Sequence, residues 1–129
     1  MKSLLLDTHA MLWFWWADPR LSGAARSLIE DGDNRKLVSV ASCWEIAVKV
    51  GLKKLDLGES SRLFLPREIA RNNFELLPIG LEHATAVEGL AMHHRDPFDR
   101  LLIAQAMVEG LSLVSADGVF DQYGVSRLW

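Results

Sequence analysis

The chain has 129 residues, 50 % of them hydrophobic and 24 % charged, which is the make-up of one globular domain and leaves no room for a second. A domain of this length buries about two-thirds of the surface its unfolded chain exposes, so it stands without staples. The single cysteine, Cys43, excludes an internal disulfide. The formal net charge of −3 argues against a protein that coats nucleic acid by charge alone.

Lys2 to Leu6 is a short apolar run that reads as a strand, ended by Asp7. Three leucines are too few for a secretory core. The apolar stretch Met11 to Trp16 falls far short of the roughly 20 residues of a membrane span. A cytoplasmic protein with no membrane partner is therefore expected. Thr8 to Trp16 is helix-compatible and Pro19 closes it. Ser22 caps a second helix with Ala24, Ala25, Leu28 and Ile29 on its apolar face, and Gly32-Asp33-Asn34 breaks the pattern. Leu37 to Val40 is the next strand. Ser42 then opens a helix carrying Trp44, Ile46, Ala47 and Val50 as far as Gly51, and Asp56 to Ser60 is a turn.

A helix through Leu63, Phe64, Ile69 and Ala70 must bend at Pro66 or begin near it. Phe74 to Ile79 is a strand that Pro78 confines to a sheet edge or cuts short. Glu82 to Ala91 is helical by period. Asp96-Pro97 starts a helix that runs to Gly110, Leu111 to Ser115 is a buried strand, Asp117 to Phe120 a short turn or helix, and Val125 to Trp129 a last strand. Strands alternating with helices imply an α/β fold: a single domain over residues 1–129 with a short central parallel sheet and helices on both faces.

In such sheets, ligands bind outside the carboxyl ends of the strands. Asp7 directly follows the first strand, Glu45 lies a helical turn beyond the second, and Asp117 lies two residues beyond the strand Leu111 to Ser115. Asp99 stands in the first turn of the helix leading into that strand. Carboxylates gathered within a few ångströms cannot all ionise cheaply, so a pKa rises or a cation enters. Oxygen donors of this kind suit magnesium or manganese, and two such ions roughly 4 Å apart activate water and stabilise the leaving oxygen of a phosphodiester. Each acid also has a plain structural use. Asp7 and Asp117 fit N-caps, Ser42 with Glu45 has capping-box spacing, and Asp96 with Asp99 can cap the next helix. Capping alone would accept Ser, Thr or Asn equally well, and the repeated choice of carboxylate favours the metal reading.

Around these acids, Thr8 and Ser115 are placed either to hydrogen-bond a ligand carboxylate or to serve local backbone. Arg95 and Arg100 are candidates for phosphate contact or for surface ion pairs. Lys49, Lys53 and Lys54 form a small basic stripe, with Lys49 and Lys53 four apart on a helix face. His9, His93 and His94 match no zinc spacing and are read as non-ligands. Trp13, Phe14, Trp15 and Trp16 point all around a helix, so some rings must leave the core face. Burial against a protein partner is the favoured use of those rings, ahead of stacking on bases, and core packing alone stays open if the helix is covered on both sides.

The acids also sit in recognisable motifs. Leu4-Leu5-Leu6-Asp7-Thr8-His9 resembles the first motif of PIN-domain nucleases and Ser42-Cys43-Trp44-Glu45-Ile46-Ala47 their second. Asp96-Pro97-Phe98-Asp99-Arg100-Leu101-Leu102-Ile103-Ala104-Gln105-Ala106 is similar to the third, in a form common among VapC-type toxins, and Leu113-Val114-Ser115-Ala116-Asp117 with Phe120 to the fourth. The likeness spans residues 4 to 120. The resemblance implies a magnesium or manganese site built from Asp7, Glu45, Asp99 and Asp117, with Asp96 left as a cap or supporting residue. It further implies endonucleolytic cleavage of RNA (transfer, ribosomal or messenger), a cognate antitoxin protein that occupies or distorts the groove, and a homodimer. Two other readings stay open on the sequence: a housekeeping RNA-processing nuclease of the same fold, and a catalytically silent RNA- or protein-binding module whose acids only cap helices.

Overall fold

A computed structural model describes residues 1–129. Five strands, β1 (Ser3–Leu6), β2 (Arg35–Ser39), β3 (Glu75–Leu77), β4 (Ser112–Val114) and β5 (Arg127–Leu128), form one sheet in the order β3-β2-β1-β4-β5. Every pairing is parallel, and Leu5 of β1 lies opposite Leu37 of β2 on one side and Leu113 of β4 on the other. The side chains of a strand alternate between faces. Leu4 and Leu6 therefore enter one core, with Met11, Ala25, Ile29 and Phe64, while Leu5 enters a second, with Leu102, Ile103 and Phe120. The three successive leucines of β1 are fully buried, as a parallel strand covered on both faces requires.

The helices supply that cover. α1 (Thr8–Trp15), α2 (Gly23–Glu30) and α4 (Ser61–Arg71) face the first core, α6 (Pro97–Glu109) faces the second, and α3 (Val40–Gly51) contributes to both through Ile46 and Ala41. No helix is long and apolar enough to cross a membrane. The expected α/β architecture is the one observed.

Several local expectations shift. α3 begins two residues earlier than Ser42, with Ser39 as its cap, the Ser39 Oγ accepting from the Ala41 N–H. Ser42 thus sits inside the helix, its hydroxyl buried without a partner, and the Ser42–Glu45 capping box does not form. Ser39 wins because its hydroxyl also donates to Gln105 in α6, a tertiary bond with no local sequence signature. Pro66 lies within α4 rather than at its start. β3 stops before Pro78 and forms one edge of the sheet. The expected helix Glu82 to Ala91 is only α5 (Leu81–Ala86) followed by a 3-10 turn, Val87–Gly89. Gly89 weakens the helix there, and the guanidinium of Arg100 takes up the carbonyls of Val87, Leu90 and Ala91.

The aromatic run packs largely against its own chain. Phe14 and Trp15 meet Phe74 edge-on, Trp15 also meets Phe64, and Trp13 stacks on His9 and touches Trp129. Only Trp16 remains exposed.

Candidate active site

Strand order reverses about β1: β2 follows on one side and β4 lies on the other. The crevice beyond the carboxyl ends of β1 and β4 is thus the topological switch point where parallel α/β sheets bind ligands. Asp7 and Asp117 stand just past these two strand ends, each as the cap of the helical turn that follows. Asp7 Oδ1 accepts from the Ala10 N–H at 2.8 Å, and Asp117 Oδ1 accepts from the Val119 N–H at 3.0 Å. Capping therefore occupies one oxygen of each carboxylate, and the second remains for other work.

Asp117 Oδ2 shows what that work is. It lies 3.0 Å from Nε2 of His94, which is also 3.1 Å from Asp99 Oδ2. The ligating atoms of His94, Asp99 and Asp117 all fall within 4.8 Å of one another. The Asp96 N–H donates to Nδ1 of His94 at 3.3 Å, so the Nε2 proton is the one directed at the two carboxylates. Sequence spacing gave no reason to include His94. Its one signal was position, two residues ahead of the Asp96 that caps α6, and only the fold reveals that this loop lies over the acids.

Asp99 is in the first turn of α6, held there by Asp96, whose Oδ1 accepts from the N–H groups of Phe98 and Asp99. Pro97 at the first helical position and Gly110 in a left-handed conformation at the end, φ 66°, bound this helix as the sequence suggested. Asp96 is thus a cap, the role left open for it. Burial, then the charge of Asp96, push the Asp99 carboxyl up to about 7, with Asp7 and Glu45 adding to the rise and His94 opposing it. Asp7 is likewise raised, chiefly by burial, while the Ser115 hydroxyl and the Ala10 N–H favour its charged form and Asp117 opposes it. These mutual influences place Asp7, Asp99, Asp117 and Glu45 in one electrostatic neighbourhood.

Glu45 enters from the second turn of α3 and is almost fully buried. Its oxygens are engaged by Thr8 Oγ1, which donates to Oε1 at 2.7 Å, and by Lys49 Nζ, 2.6 Å from Oε2. Thr8 therefore does bind an acid of the cluster, while the Ser115 Oγ accepts from the Asp117 N–H at 3.0 Å and its hydroxyl favours the charged form of Asp7. Lys49 reaches toward the acids while remaining partly exposed: Glu45, Asp96 and Asp99 all hold its ammonium more firmly protonated. The expected basic stripe does not exist as such, because α3 ends at Gly51 and Lys53 adopts a left-handed conformation, φ 59°, beyond it.

Arg100 is not available to a phosphate. Its Nη1 donates to the carbonyls of Ala91 and His94, at 2.9 and 3.1 Å, and its Nη2 to those of Val87 and Leu90, at 3.3 and 3.2 Å. It secures the loop that carries His94.

Hard oxygen donors, two of them with raised affinity for a proton, are a donor set that a divalent cation fits: positive charge replaces the protons that crowding would otherwise retain. Ribonuclease VapC22 of Mycobacterium tuberculosis is 31 % identical over 121 residues, covering 91 % of this chain and 88 % of that protein. Among solved structures, DNA-bound VapBC from Salmonella typhimurium superposes with a TM-score of 0.72 at 16 % identity, covering 99 % of this chain and 98 % of that one. VapBC2 from Rickettsia felis, bound to a DNA fragment from its promoter, gives 0.66 at 16 % identity, with 98 % and 97 % covered. At that identity the two structures speak for the fold alone. A family model described as PIN domain matches residues 4–125, nearly the entire length and all of the acidic crevice, and the chain belongs to the PIN-domain family.

Proposed function

We propose that this protein is a magnesium- or manganese-dependent endoribonuclease that acts as the toxin of a toxin–antitoxin pair. The observation that carries the reading is the gathering of the ligating atoms of His94, Asp99 and Asp117 within 4.8 Å, with Asp7 past the end of β1 near enough for its charge to act on Asp99, and the Asp7 and Asp99 carboxyls both raised above their ordinary range. Asp7, Asp99 and Asp117, with Glu45 behind them, would hold the metal. When bound, it would supply a water activated as nucleophile and charge stabilisation at the leaving oxygen of a phosphodiester.

The chain's own residues set the stage for that chemistry. The caps at Asp7 and Asp117 fix one oxygen of each carboxylate and so aim the other. Ser115 holds the Asp117 backbone and favours the charged form of Asp7, and His94 spans Asp99 and Asp117 with one N–H. Thr8 and Lys49 immobilise Glu45 from two sides. Lys49 also brings a positive charge to the rim, where an approaching phosphate would meet it.

The relatives support the biological setting. VapC22 is named a ribonuclease, and the structural neighbours include VapBC assemblies and a toxin-antitoxin complex from Klebsiella pneumoniae. On that footing the partners are an RNA substrate (transfer, ribosomal or messenger), a cognate antitoxin protein and a second copy of the chain, in the cytoplasm.

Asp7→Asn tests the reading. Asn caps a helix about as well as Asp, so the thermal midpoint is expected to stay near wild type or rise as repulsion is relieved, while RNA cleavage and growth arrest on induction are lost. Mapping RNA ends after induction of wild type and variant supplies the readout. New 5′ ends made equally by the variant would remove Asp7 from the mechanism.

A further inference from the structure

Trp16 is 41 % exposed and borders a cavity of about 230 Å³ shared with Trp13, Arg20, Lys49 and Lys54, with Thr8 also in its wall. We propose that this cavity is a subsite for a nucleobase and its phosphate in a single RNA strand that extends from the acidic crevice. The identity of the strand rests on the ribonuclease reading; the chemistry of the pocket does not.

The cavity and the crevice share walls. Thr8 and Lys49 line the cavity, and both bind the Glu45 carboxylate, so the cavity adjoins the acid cluster at Glu45. Trp16 is eight residues beyond Thr8 along α1, about 12 Å at the helical rise. A strand seated at the acids would thus reach it within a few nucleotides.

The lining suits a nucleotide. Trp13 is held rigidly, with His9 stacked on its ring at 5.5 Å and the Arg20 guanidinium 4.9 Å from its centroid. Arg20 returns over α1 because the chain turns sharply at Ala17, φ 53°, and Asp18 grips the guanidinium at 2.7 and 3.1 Å. Lys54 is exposed and makes no ion pair, so it is the cation left for a phosphate. An exposed indole beside immobilised and free cations is the arrangement by which single strands are bound through base stacking and backbone charge. A peptide helix would instead seek a broad apolar face. The structure offers one elsewhere, in the larger cavity of about 400 Å³ lined by Val40, Cys43, Leu65, Pro66, Ile69 and Leu76.

The test is fluorescence anisotropy of a short labelled oligoadenylate titrated with the full chain in chelator, where no strand is cut whatever the acids do. Trp16→Ala is expected to weaken binding about tenfold, Trp16→Phe to retain most of it, and both to melt like wild type. Lys54→Ala is expected to flatten the logarithmic salt dependence by about 0.7, the loss of one single-strand phosphate contact. Equal affinity of wild type and Trp16→Ala would overturn the proposal, as would a wild-type chain that binds no oligonucleotide. It would also be overturned if Trp16→Ala left RNA affinity intact and weakened only the complex with a co-expressed antitoxin. A chain that binds RNA through Trp16 yet cuts none would sink the ribonuclease reading and leave this subsite standing.

Discussion

Arg100 donates to four main-chain carbonyls between Val87 and His94, a pattern a lysine cannot copy, since one ammonium cannot span the fork of a guanidinium. Arg100→Lys is expected to cost about 1 kcal/mol in denaturant unfolding, the scale of lost hydrogen bonds that water partly replaces. The clearer signature is local: amide exchange over residues 87–94 should accelerate, and cleavage should fall because His94 loses its anchor. Unchanged exchange in that segment would mean that the clamp is dispensable. The adjacent residues of this motif divide their labour along the chain. Asp96 and Pro97 start the helix, Asp99 faces the crevice, and Arg100 turns back to hold the incoming loop.

At the scale of elements, α3 separates local from tertiary control. A sequence reader chooses Ser42 as the cap because Glu45 follows at the right spacing. The structure chooses Ser39, and leaves the Ser42 hydroxyl buried without a partner. The two serines should therefore respond in opposite ways. Ser39→Ala is expected to destabilise by about 1–2 kcal/mol, through the lost cap and an unpaired Gln105. Ser42→Ala is expected to be neutral or slightly stabilising, because it removes a desolvated hydroxyl that has no bond to lose. Urea denaturation of both variants decides it: a larger loss at Ser42 would restore the capping box and unseat the helix start. The earlier start matters for function, since it places Glu45 in the second turn of α3, where Thr8 and Lys49 reach it.

For the whole molecule, the crowded acids link stability to pH and to metal. In the folded, metal-free chain Asp99 is pushed up to about 7 from 3.8, so between these values the folded state binds more proton than the unfolded one. Stability must then fall as pH rises through that window, with Asp7, also raised, acting in the same direction. Scanning calorimetry of chelator-treated protein should show a lower midpoint near pH 8 than near pH 5. Millimolar magnesium or manganese should raise the midpoint, and more so at the higher pH, because the cation replaces the protons and stabilises only the folded state. A metal-induced shift of equal size at both pH values would disconnect the ion from these carboxylates.

How far the chain could be read without coordinates follows from the range of the forces involved. Strand and helix order, the parallel sheet, the edge position of the strand before Pro78, the Asp96-Pro97 helix start and the places of Asp7 and Asp117 past strand ends and of Asp99 in the first turn of α6 were legible, because periodicity, capping and backbone chemistry act within a few residues. The approach of His94 to Asp99 and Asp117, the capture of Arg100 by carbonyls and the exposure of Trp16 alone among four aromatics were decided only by tertiary structure. Each depends on which surfaces the folded chain brings face to face, and no local pattern records that. The sequence by itself determined which acids wait at the carboxyl edge. The packing of helices on both faces decided what stands among them, since desolvation and charge crowding exist only once distant segments share one crevice.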